Sequence, residues 1–145
     1  MLDLVLAILH HLLVFSLFGI VFAEFFALRP ELGRDAIARL ARLDLIYGIV
    51  AGLIIIVGFS RAIFAAKGWH YYSHNAFFWA KLGSFALIGL LSVPPTLAYL
   101  RWRKSGAAPD GREVKRIRTY LHLELGLFVP LLGFAAAMAR GYGEF

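Results

Sequence analysis

His10, His11 and Glu24 stand inside ILHHLLVFSLFGIVFAEFFAL, an otherwise apolar run from Ile8 to Leu28. An ionisable group in hydrocarbon is costly unless something polar faces it. Here the partner is a cofactor, a proton path or a neighbouring helix. Similar groups recur along the chain: Arg61 closes GLIIIVGFSR, Lys81 sits in FFWAKLGSFALIG, His122 and Glu124 stand in YLHLELGLFVP, and Met138 lies in the last apolar run. Imidazole and thioether are axial ligands for haem iron. Lysine and arginine neutralise carboxylates such as haem propionates, and carboxyl groups carry protons. The chain has no cysteine, so disulfides, thiolate metal clusters and a cysteine nucleophile are excluded. It holds no Gly-rich phosphate loop, H-E-x-x-H or G-x-S-x-G, which leaves nucleotide and hydrolase chemistry without a motif.

The elements that place these residues are helices in lipid. Of the 145 residues, 61% are hydrophobic and only 17% charged, with a mean hydropathy of +0.74. A soluble domain would carry about 25% charged residues. Four runs reach the roughly 20 residues that a spanning helix needs: about Leu4–Leu28, Leu45–Ala66, Ala76–Leu100 and Leu121–Ala139. The first has Asp3 instead of a basic leader and reads as a span, not as a cleavable signal peptide. The expectation is an all-α protein, a transmembrane up-down-up-down four-helix bundle forming one domain over residues 1–145.

Charge sets the expected direction. Eleven of the 15 Lys and Arg lie in two connections, 29–44 and 101–120. Positive loops stay in the cytoplasm, so both termini and the aromatic 66–76 loop belong outside, in a bacterial inner membrane with the lipid bilayer as partner. The net charge of +6 is gathered in these loops and forms no nucleic-acid face. Ile37, Leu40, Ala41 and Leu43 or Asp44 recur at helical spacing, so the first connection is expected to include a surface turn of amphipathic helix. Gly48 and Gly52, and Gly126, Gly133 and Ala137, make small-residue faces that favour helix contact.

Read by face, His10, Val14, Leu17, Val21, Glu24 and Leu28 share one stripe. His11 is turned away from it. Lys81, Phe85, Ile88, Ser92 and Pro95 form a second stripe, and Glu124, Phe128, Leu131, Ala135 and Met138 a third. His122 points away from Glu124. The polar groups thus fall into an outer layer (His10, His11, Arg61, Lys81, with Met138, His70 and His74 nearby) and an inner layer (Glu24, Asp44, His122, Glu124). His10 and His122 differ in depth by roughly 15 Å, so one iron does not bind both. Two readings follow. In one, His10 ligates haem b in the outer layer, Lys81 or Arg61 meets a propionate, and Met138, His11, His74 or nothing fills the second axial position. In the other, Lys81 snorkels to the surface and the inner acids pair with Arg42 and Arg118.

LHHLLVFSLFG followed by a basic loop resembles the opening of the HemJ-type protoporphyrinogen oxidases and related CopD-like four-helix membrane proteins. GLIIIVGFSRAIFAAKGWHYYSHNAFFWAKLGSFALIGLL is similar to their second and third spans, and YLHLELGLFVPLL to the stretch opening their fourth. The chain as a whole is similar to a family of small bacterial four-helix membrane proteins of unassigned function. The first resemblance implies haem b on His10 and catalytic roles for Lys81 and Glu124. It also implies redox activity, as tetrapyrrole oxidation or electron transfer to a quinone. This sequence departs from that pattern in its second histidine, in Trp79-Ala80-Lys81, and in Leu123-Glu124. The competing expectations are a non-catalytic scaffold that assembles with itself or a larger complex, and proton or ion transport through Glu24, Lys81 and Glu124. Transport has less support, because the chain shows no internal repeat.

Overall fold

The computed structural model describes residues 1–64 and 67–145. Four long helices dominate it: α1 (Leu2–Ala27), α2 (Arg34–Phe64), α4 (Ala76–Ser105) and α5 (Gly111–Ala139), with a short α3 (Gly68–Ser73) between α2 and α4. All four long helices have the length and apolar composition to cross a membrane. The expected end of the second span at Ala66 lies outside the described residues.

The helices close into a ring. α1 packs on α2 and α4 on α5, making two tight hairpins, and the hairpins meet along looser α2–α4 and α1–α5 seams. Across the ring, α1 faces α4 and α2 faces α5. Each helix turns a narrow stripe inward and gives the rest of its surface to lipid, so Phe15, Phe26, Ile56, Leu90 and Val129 are exposed. Leu17, Val21, Ile88, Phe128 and Leu131 lie on the stripes expected from spacing and pack together in mid-bundle, joined by Ile54 of α2.

The basic connections behave differently from expectation. The turn expected on the membrane surface is the opening of α2 itself, and Ile37, Leu40, Ala41 and Asp44 are buried inside the bundle. At 1.5 Å per residue, the 31 residues of α2 span about 46 Å, against a hydrocarbon core of about 30 Å. The bundle therefore extends beyond the lipid at its arginine-rich end. The third connection shrinks to 106–110, because α4 runs on to Ser105 and α5 starts at Gly111 under an Asp110 cap. Arg101 pairs with Glu113 across this turn, and Arg118 donates a 2.5 Å hydrogen bond to the Leu28 carbonyl. The small-residue faces do not serve packing within the chain: Gly48, Gly52, Gly126 and Gly133 have nothing within 4 Å of an added Cβ.

At the other end, Asn75 is fully buried and holds three segments together. Its side-chain oxygen caps α4 by accepting from the Phe77 and Phe78 amides, and its amide nitrogen donates to the Tyr142 carbonyl at 2.9 Å. The C-terminal residues fold back here, with the Ala76 amide on the Gly143 carbonyl and the Phe145 amide on the His74 carbonyl. Gly143 adopts φ 88°, and a Cβ there would meet the Phe77 ring. Replacing Asn75 by Ala removes the cap and the tail anchor together, a loss of about 1–3 kcal/mol. Asn75→Ala should lower the thermal midpoint in detergent and expose residues after Arg140 to limited proteolysis, whereas Ser73→Ala should do neither.

Candidate functional site

The outer polar layer surrounds a pocket to which all four long helices contribute. His10, His11 and Val14 come from α1, Gly58 and Phe59 from α2, Phe78, Lys81 and Phe85 from α4, and Leu131 and Ala135 from α5. Its cavity volume is about 110 Å³. The looser seams between the hairpins explain why space remains here.

The two adjacent histidines have different fates. His11 is exposed, and its Nδ1–H donates to the Ala7 carbonyl at 2.6 Å, a local bond within the helix. His10 turns inward over Gly58, whose missing side chain lets the ring approach. A Cβ at that position would stand 3.4 Å from His10 Cε1 and 3.7 Å from Nδ1. His10 Nδ1 is buried with no hydrogen-bond partner. Lys81, half-buried on the diagonal helix, lies 5.8 Å from the Phe78 ring centroid and makes no ion pair among the described residues.

The other outer candidates stand beside this pocket without lining it. Arg61 is half-buried, with its Nε sealed and unpartnered. Met138 packs with Ala62, Tyr72 and Phe78, and its carbonyl accepts from the Tyr71 hydroxyl at 2.9 Å. His70 and His74 stack on each other at 4.3 Å in the short-helix connection. Among the described residues, no group of three or more His, Cys, Asp or Glu converges to hold a metal ion.

Glu124 belongs to a second site. It lies seven residues, roughly 10 Å, along α5 from Leu131, the nearest pocket residue on that helix. There it joins Glu24 and Asp44, and all three are buried (1%, 2% and 8% exposed). The Tyr99 hydroxyl donates to Glu24 Oε2 at 3.3 Å across the ring, and the Thr96 hydroxyl donates to Asp44 Oδ1 at 2.9 Å. Tyr47 sits between Ser92 and Glu124. The expected ion pairs with Arg42 and Arg118 do not form: Arg118 serves the Leu28 carbonyl and the Phe25 ring, and Arg42 is exposed. His122 also faces outward, beside Phe25. The sequence reading missed Tyr47, Tyr99 and Thr96. Tyr99 and Thr96 sit one turn beyond Pro95 and Ser92 on the Lys81 stripe of α4, and that continuation was the available signal.

Fold and sites together define a small four-helix integral membrane protein with two separate polar centres on its axis. The family described as "Predicted membrane protein (DUF2214)" matches residues 2–143, nearly the whole chain, and the chain belongs to it. No curated protein and no solved structure matches the chain.

The seat of His10 can be tested through Gly58. Gly58→Ala adds a methyl at ordinary contact distance and should be nearly neutral. Gly58→Val crowds the ring and should cost about 1–3 kcal/mol of stability by overpacking. Thermal unfolding in detergent should show part of that loss recovered when His10→Ala is added, a coupling that distant sites would not give.

Proposed function

We propose that this chain is an integral membrane haem-b protein with a redox role, and that its outer pocket is the binding site. The observation that carries the reading is the His10 ring: half-buried on a bed made by Gly58, without a hydrogen bond, and on the wall of a pocket shared with Lys81. An unpartnered imidazole in lipid is costly, and ligation removes that cost. With Nδ1 sealed against α2, Nε2 is the nitrogen left to meet a ligand. Because no set of protein donors surrounds a bare ion, a metal here would arrive inside its own macrocycle.

The donor chemistry fits one axial position, with Lys81 placed to neutralise a propionate and Arg61 beside it as a second cation. The cavity fits only part of a porphyrin. A cavity of about 150 Å³ holds a benzene, so about 110 Å³ would seat one ring edge and leave the rest outside it. Bound haem b would supply one-electron chemistry. The chain's own residues would hold it, exclude water through Phe59, Phe78 and Phe85, and keep the site open to lipid-borne partners such as a tetrapyrrole or quinone. The same interior volume favours a second reading, in which the pocket takes a quinone ring directly, with His10 and Lys81 donating to its carbonyl oxygens.

His10 and Lys81 meeting at one pocket supports the haem reading. Glu124, for which a catalytic role was expected, would act from the inner cluster by positioning the helices and not by touching a ligand in the outer pocket. The basic residues on loops 29–44 and 101–120 support a bacterial inner-membrane topology with both termini outside and those loops cytoplasmic.

The absorption spectrum of protein purified in mild detergent tests the haem reading. A Soret band is expected, retained in His122→Ala and abolished in His10→Ala. No Soret band after haem supplementation removes haem, and a co-purifying quinone lost in His10→Ala would then identify the second reading. Topology is equally accessible, since the chain lacks cysteine: Ser73→Cys should react with an impermeant maleimide from outside, and Ser105→Cys only after the membrane is opened.

A further inference from the structure

The inner cluster has a property that the outer-pocket reading does not use. Three carboxyl groups occupy the bundle axis with no lysine or arginine among their partners, and an uncompensated carboxylate removed from water costs several kcal/mol. Hydroxyl donors satisfy part of this set. Tyr99 serves Glu24, and Thr96 serves Asp44. Glu24 Oε1 and Glu124 Oε1 remain buried and without any partner. Both glutamates are more than nine-tenths buried and within electrostatic reach of Asp44. A buried carboxyl oxygen that meets no donor lowers its cost when the carboxyl keeps its proton.

We propose that Glu24, Asp44 and Glu124 form a proton-holding site on the bundle axis. A metal ion is the wrong occupant, because among the described residues no three such side chains converge to hold one. The groups facing the site from each packed helix are Glu24 of α1, Asp44 and Tyr47 of α2, Ser92, Thr96 and Tyr99 of α4, and Glu124 of α5. None of them is cationic, so the charge is removed by protonation. The buried layer of Leu17, Val21, Ile88 and Phe128 separates this site from the outer pocket, which makes it independent of whatever that pocket binds.

The test uses the whole protein in detergent. Thermal midpoints are measured with sodium, lithium or potassium chloride against choline chloride at constant ionic strength. Infrared spectra in H₂O and ²H₂O are recorded across the carbonyl stretch of protonated carboxylic acids. A proton site gives an acid carbonyl band that shifts in ²H₂O and weakens in either Glu24→Gln or Glu124→Gln, with midpoints independent of the alkali ion. Gln preserves shape without charge, and the wild-type data already decide the case if a variant fails to fold. No acid carbonyl band in the wild type overturns the proposal, as does a band unchanged in both variants or a midpoint that rises with the logarithm of alkali-ion concentration.

Discussion

Hydrocarbon offers no hydrogen-bond partners, and the arrangement of this bundle follows from that constraint. Every polar side chain carried into the spans must be met within a ring of four helices. Each helix is greasy around most of its circumference and can turn only one stripe inward. Polar groups on those stripes therefore meet one another at the same depth or meet nothing. His10 and Lys81 share the outer depth, and Glu24, Asp44 and Glu124 share the inner one. Between them the stripes are aliphatic and aromatic and pack on one another.

The two depths differ in kind because the helices pair unequally. Within each hairpin the short connections enforce close packing, while the seams between hairpins are longer-range and looser. At the outer end the seams leave a pocket whose walls are aromatic and whose polar groups do not touch each other. At the inner end Tyr99 bridges the ring to Glu24, and Thr96 ties α4 to α2. Pro94 and Pro95 stand within a turn of this crossing, where each removes a backbone N–H from α4. An open pocket and a hydrogen-bonded polar crossing thus arise from one topology at different heights.

Much of this was legible in the sequence. The all-helical class, the four spans and the inward stripes follow from run length and a 3.6-residue period, and lipid makes that signal strong. The inward turn of His10 and the outward turn of His11 follow from 100° per residue. Helix ends were legible only in part, because hydropathy marks where lipid stops and not where the helix does. The first turns of α2 and α5 are polar outside yet buried inside on Ile37, Leu40, Val114 and Ile117. Partner choice was not legible at all. Arg118 was within reach of carboxylates on paper, but the Leu28 carbonyl, an orphan at the end of α1, holds it. Nor does composition reveal that Asn75 gathers the C-terminal tail, since a buried amide has no period.

The dry layer between the polar centres restricts how they could cooperate. Glu24 lies fourteen residues from His10, roughly 21 Å along α1. The intervening inward positions Val14, Leu17 and Val21 offer no atom that can pass a proton. Phe128 fills the same interval from α5, and Ile88 from α4. Any proton used in the outer pocket must therefore come from the side on which that pocket opens. Communication with the carboxyl cluster is left to movement of the helices, for which α1 and α4 are suited, since each carries residues of both centres on a single rigid stripe.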